Sequence, residues 1–126
     1  MLRYAGFFLV ATCLAWAPTA SANNSATVVE HAFGKATIHG NPARVVSLYQ
    51  GATDTAVALG IEPVGVVESW TEKPMYRYLR QDLQEVTYLG LETQPNLERI
   101  AWLMPDLIVG ASNRHRTIYP LLDRIA

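Results

Sequence analysis

"NLERIAWLMPDLIVGASNRHR", residues 96–116, decides the fold. Leu97, Ile100, Ala101 and Met104 fall at i, i+3, i+4 and i+7, which is one face of an α-helix. Asn96 is a good N-cap, Glu98 suits the positive helix start, and Pro105 forbids continuation. Leu107-Ile108-Val109 then runs apolar without polar alternation, which predicts a strand covered on both faces. Cations crowd the segment that follows it, where Arg114, His115 and Arg116 stand together.

Working back from there, the same unit repeats. The pattern predicts a strand over Val45–Leu48, a helix around Thr53–Leu59 stopped by Gly60, and a strand over Val64–Val67. It continues with a helix over Met75–Glu85, Leu79 and Leu83 on one face, and a short strand over Val86–Leu89. Four strands alternating with helices predict an α/β fold with a mostly parallel sheet, a three-layer αβα lobe. Two runs rich in β-branched residues, Thr27–Glu30 and Lys35–His39, flank Phe33-Gly34 and read as an amino-terminal hairpin, closed off by Asn41-Pro42.

In such sheets ligands bind beyond the carboxyl ends of the strands. The informative segments are therefore Tyr49–Thr53, Glu68–Pro74, Gly90–Pro95 and Ala111–Arg116. They present Tyr49, Gln50, Trp70, Arg114, His115 and Arg116, with Tyr76 nearby. An aromatic and cationic rim fits a polar, anionic ligand of some size.

The chain has 126 residues, net charge −1 and 50% hydrophobic composition, a balance that favours neither nucleic acid nor an anionic membrane as partner. Residues 1–22 read as a secretory signal: Arg3 supplies the positive region, Ala5 to Trp16 the apolar stretch, and Ala20-Ser21-Ala22 the cleavage site, so the mature chain is expected to start at Asn23 after Ala22. The apolar stretch falls short of the roughly 20 residues a bilayer span requires. Cys13, the single cysteine, lies inside it, which leaves the mature chain without a thiol. Val10-Ala11-Thr12-Cys13 is a poor lipoprotein box, because Thr12 replaces the small residue expected before the cysteine. A soluble, monomeric periplasmic protein is the expectation, with residues 23–43 an extension carrying the hairpin and 44–126 the α/β lobe.

"NPARVVSL", "LGIEPVGVV" and "LGLETQPNLERIAWLMPDLIVGASNRHRTIYPLLDRIA" resemble the amino-terminal lobe of the periplasmic binding proteins that deliver ferric siderophores or cobalamin to ABC importers, the ferric citrate group above all. The resemblance covers residues 27 to 126, and its most specific part is P-N-L-E-x-I followed by x-P-D-L-I. It implies half of a bilobed protein whose lobes are joined by a rigid helix. The chain stops inside a predicted helix, Leu121–Ala126, and reads as a fragment.

The resemblance also implies roles. An arginine in the loop of Arg114 reaches into the cleft and pairs with the anionic chelate, work suited to a fork of donors that matches carboxylate geometry. The bland alternative is a solvated arginine opening the next helix. His115 and Arg116 flank it, but neighbours on a helix face different ways. Tyr49, Gln50 and Trp70 are second candidates for ligand contact, against the simpler role of covering the core edge. Glu98, in the N-L-E motif, is implied to form a salt bridge with the membrane permease, against the simpler role of favouring a helix start.

No resident cofactor or metal is expected, the ligand bringing Fe3+ as a chelate. His31, His39 and His115 are scattered and show no metal-ligand spacing. Ferric citrate leads among ligands, then a ferric hydroxamate, then cobalamin, whose site would be more apolar. A sensor or scaffold reusing the lobe is a second class of function. An exported hydrolase built on Ser47 or Ser69 with a histidine and Asp54 is a third; it lacks a G-x-S-x-G elbow, and no enzymatic role is expected.

Overall fold

The structure, a computed structural model, describes residues 25–126. The signal segment and the Ala22–Asn23 cleavage site lie outside the described residues. Within that span no helix is long and apolar enough to cross a membrane.

The hairpin forms as its sequence predicts, β1 (Ala26–His31) pairing antiparallel with β2 (Gly34–His39). Gly34 takes φ +141, a value an L side chain rarely adopts, and so makes the tight reversal possible. Phe33 at its tip packs on Tyr119 at 4.6 Å and lies under the Arg116 guanidinium at 5.1 Å.

The main sheet has five strands in the order β6-β5-β4-β3-β7. These are β3 (Val45–Ser47), β4 (Gly65–Glu68), β5 (Thr87–Leu91), β6 (Gln94–Pro95) and β7 (Leu107–Val109). All pairings are parallel except that of β5 with β6. From β3 the chain steps through α1 (Gln50–Ala58) to β4, and later returns through α2 (Leu97–Trp102) to β7 on the other side of β3. The strand order thus reverses at β3, and a crevice opens at such a switch point beyond the strand ends.

Alternation along the strands sends side chains to two apolar clusters, one on each sheet face. Val46, Leu48, Val67, Leu89, Ile100 and Leu122 fill one, under α2 and α4 (Tyr119–Leu122); Val66, Met75, Leu79 and Leu83 fill the other with Val57 of α1. The result is the expected three-layer α/β lobe. Asn96 caps α2 by accepting from the Arg99 N–H at 2.9 Å. Its other end is held from outside: Arg44 donates to the Leu103 carbonyl at 2.6 and 2.9 Å, and Asp106 accepts from the Ala43 and Arg44 N–H groups at 2.8 Å each. Met104 takes φ +46 just before Pro105 and is exposed, so it leaves the buried face to which its spacing assigned it.

Three further expectations need correction. The predicted helix over Met75–Glu85 is a single 3₁₀ turn, Arg77–Leu79, amid irregular backbone. Met75, Leu79 and Leu83 are buried as their spacing implied, but the Arg80 side chain donates to the Met75 carbonyl, an acceptor the helix would use, and to the Lys73 carbonyl ahead of it. The strand Leu107–Val109 is half-buried rather than covered on both faces, because β7 is an edge of the sheet. The segment after β5 turns back as β6, which makes Gly90–Pro95 a tight antiparallel reversal with Gly90 at φ +88.

Candidate functional site

The carboxyl ends of the parallel strands β3, β4, β5 and β7 lie along one edge of the sheet, and the segments that follow them form a rim. After β3, Tyr49 occupies the N-cap of α1 with extended backbone, and its ring lies where a Cβ on Gly51 would come within 2.9 Å of it. Glycine there lets the ring fold over the helix start. Gln50, expected in a loop, already belongs to α1; its amide donates to the Val67 carbonyl at 3.3 Å, and its Oε1 is enclosed without a hydrogen-bond partner. Ser47 pairs with Thr53 Oγ1 at 2.9 Å, and Ser69 donates to the Glu72 carbonyl. Both hydroxyls are buried, and neither meets a histidine among the described residues.

The segment after β4 is held from below. Glu72 accepts from the Arg77 backbone N–H and side chain, both at 3.1 Å, and these bonds keep its carboxyl below the ordinary carboxylate range. Because the folded value is depressed, the anchoring is present above the unfolded Glu value and is lost as pH falls through the folded one. Trp70 projects from this anchored segment, half exposed at 51%.

Trp70 meets Glu92 and Arg114 there. Glu92, in the turn between β5 and β6, is only 6% exposed. Its Oε2 accepts from the Trp70 indole N–H at 3.2 Å, and its Oε1 lies 2.6 Å from Arg114 Nε. The Arg114 guanidinium sits 5.4 Å from the Trp70 ring centroid, a cation–π arrangement. The Arg114 side chain remains 39% exposed, and no hydrogen bond ties its terminal nitrogens to protein among the described residues. One buried carboxylate thus holds a cation against an aromatic face at the strand ends.

Arg114 and His115 come from α3 (Ser112–His115), and helical geometry turns them apart. His115 is 2% exposed; its Nδ1 accepts from the Ala111 N–H at 2.9 Å, so Nε2 carries the proton and donates to the Glu92 carbonyl at 2.9 Å. A Cβ on Gly110 would stand 3.0 Å from that ring. His115 therefore lies beneath the rim, joining the turn of Glu92 to the start of α3, and Arg116 faces the hairpin. His115→Ala is expected to lower stability by about 1–3 kcal/mol by orphaning two buried backbone groups, measured as a shift of the urea midpoint. Glu98 stands exposed in the first turn of α2, in no ion pair among the described residues. No cluster of three metal-ligating side chains occurs among the described residues.

Glu92 escaped the sequence reading, which dwelt on cations and aromatics. Its signal was present: it is the one charged residue of Gly90–Pro95, a segment at a strand's carboxyl end.

A periplasmic binding protein family model matches residues 45–126, which includes every strand of the main sheet and the whole rim. The chain belongs to the periplasmic binding protein family. It is 65% identical over 85 residues to the achromobactin-binding periplasmic protein of Dickeya dadantii, covering 68% of this chain and 28% of that one. It is 38% identical over 106 residues to the Fe(3+)-citrate-binding protein YfmC of Bacillus subtilis, covering 84% and 33%. Among solved structures, Staphylococcus aureus SirA complexed with staphyloferrin B superposes with TM-score 0.78 at 52% identity, covering 79% of this chain and 34% of SirA. The chain therefore spans about a third of the length of these periplasmic binding proteins.

Proposed function

We propose that this chain forms the amino-terminal half of the ligand cleft of a ferric-siderophore capture protein, which works in the periplasm and supplies an ABC importer. The observation that carries the proposal is Arg114 held over Trp70 by the buried Glu92 at the switch point of the sheet. A guanidinium fixed at Nε offers its terminal nitrogens to a carboxylate of the ligand, while the indole offers a flat apolar surface. Tyr49 and Gln50 extend the same rim, and the second lobe closes over it. The function is capture, with no covalent step.

The iron is cargo, already chelated. Relatives named for achromobactin and for ferric citrate both support a ferric chelate, and the higher identity to the achromobactin-binding protein favours testing a ligand of that kind before ferric citrate, which leads on sequence alone. Titrating the complete protein and following tryptophan emission, with ferric achromobactin, ferric citrate, ferric desferrioxamine and cobalamin, tests the assignment. Saturation with one of the first two is expected; saturation with cobalamin alone would overturn it.

Glu98 is the proposed contact with the permease, exposed on α2 and uncommitted to any ion pair among the described residues. A rim charge of this kind sets docking orientation more than affinity. Glu98→Arg is expected to reduce iron uptake several-fold in cells while chelate binding by the purified protein stays unchanged. Undiminished uptake would remove Glu98 from the docking surface.

A further inference from the structure

Glu92 is an unusual neighbour for an anion site. Its carboxylate is almost fully enclosed, one oxygen on each of the two rim groups, and its own carbonyl holds His115. It thereby ties together the segments that follow β4, β5 and β7. It also cancels the charge of Arg114, the very charge that a simple anion would seek.

These two effects act differently on different ligands. A small free anion at the terminal nitrogens of Arg114 has little to gain from the indole, and it feels the Glu92 charge from behind the guanidinium. At a separation of about 6 Å, beside a cation that is 39% exposed, and with an effective dielectric between that of a surface pair and that of water, that repulsion changes affinity about tenfold. A bulky ferric chelate, whose carboxylate charge is largely offset by its Fe3+, feels less of that repulsion and also gains the ring and the guanidinium together, in the fixed relation that Glu92 maintains. Preorganisation of this kind removes the ordering cost from the binding step.

We infer that Glu92 is a specificity-determining positioning residue, which makes the rim favour an iron-loaded chelate over iron-free anions by neutralising Arg114 while locking it over Trp70. The inference rests on the reading that Arg114 and Trp70 meet the ligand. It adds a selection step, since iron-free carboxylates are competitors wherever a chelator is in excess.

Two variants of the complete mature protein separate charge from geometry, with ferric achromobactin and iron-free citrate as probes in calorimetric titrations. Glu92→Gln removes the charge and keeps the size, and its affinity for iron-free citrate is expected to rise about tenfold, narrowing the preference for the ferric chelate. Glu92→Asp keeps the charge but is one methylene too short to serve both partners; its affinity for ferric achromobactin is expected to fall about tenfold without the gain toward citrate, and its ligand-free tryptophan emission to shift as the indole N–H loses its acceptor. An unchanged ratio of the two affinities in Glu92→Gln, or a Glu92→Asp protein indistinguishable from wild type, would overturn the inference. The parent reading fails separately: it falls if Arg114→Ala leaves chelate binding intact, whereas the citrate titration of Glu92→Gln still decides the part Glu92 plays.

Discussion

Arg114→Ala in the complete protein is expected to weaken ferric-chelate binding about a hundredfold, equivalent to about 2.7 kcal/mol. The loss has two sources. A charge-assisted contact between guanidinium and ligand carboxylate disappears, and losses of about 2–5 kcal/mol are usual when one partner of such a pair is truncated at a desolvated interface. The Trp70 ring also loses the cation seated 5.4 Å from its centroid and with it a reason to stay in place. Arg114→Lys keeps the charge but not the planar fork, so it should recover only part of the affinity. Calorimetric titration of the three proteins measures this, and a change below threefold in the alanine variant would contradict the site. Glu92 complicates only the stability of that variant: 6% exposed, it is left with the indole N–H as its remaining side-chain partner, and a lowered unfolding midpoint is expected beside the affinity loss.

The second large effect concerns the scaffold that carries the rim. Ile100 is fully buried on α2, in one cluster with Val46, Leu48, Val67, Leu89 and Leu122. Ile100→Ala removes three carbons from a close-packed site bounded by strands on one side, which can collapse only in part, and a loss of about 2–5 kcal/mol is expected. Ile61, 40% exposed after α1, is the contrasting case, and Ile61→Ala should stay within about 1 kcal/mol. Denaturant unfolding of the two variants reads the difference as separate midpoints at a common slope. Equal midpoints would mean that α2 is not packed on the sheet as described.

Local rules made much of this lobe legible. Asn96 before an apolar periodic run, the strand at Leu107–Val109, the first strand–helix–strand unit and Phe33-Gly34 between two β-branched runs each state a local preference that the fold satisfies, although Leu107–Val109 is half-buried. The rule that ligands gather beyond parallel strands then pointed to Trp70 and Arg114 in separate segments of the chain, and the structure brings them within a cation–π contact. What escaped depends on tertiary competition. Met75, Leu79 and Leu83 keep helical spacing, yet the Arg80 side chain occupies the Met75 carbonyl that the helix would have used. His115 reads as a rim cation by its neighbours, but the turn of α3 carries it inward against the Glu92 carbonyl. Glu92 acquires meaning only from partners in two other segments, and periodicity along one segment cannot supply that information.

Charge and shape at the rim point the same way. A neutralised guanidinium stacked on an indole, with Tyr49 and Gln50 following the strand that lies between theirs, suits a large ligand carrying both carboxylates and flat surface better than a bare ion. The exposed Glu98, on a helix anchored by Ile100 in the same core, joins the proposed docking surface rigidly to that rim.

The central claim is that the rim formed by Arg114, Trp70 and Glu92 faces an iron chelate. Its most direct test is anomalous scattering at the iron edge from crystals of the complete protein grown with ferric achromobactin. The account predicts a single iron peak between the lobes, with a chelate carboxylate on the terminal nitrogens of Arg114 and the Trp70 ring against the ligand. An iron peak elsewhere, with Arg114 and Trp70 facing only solvent, would contradict it.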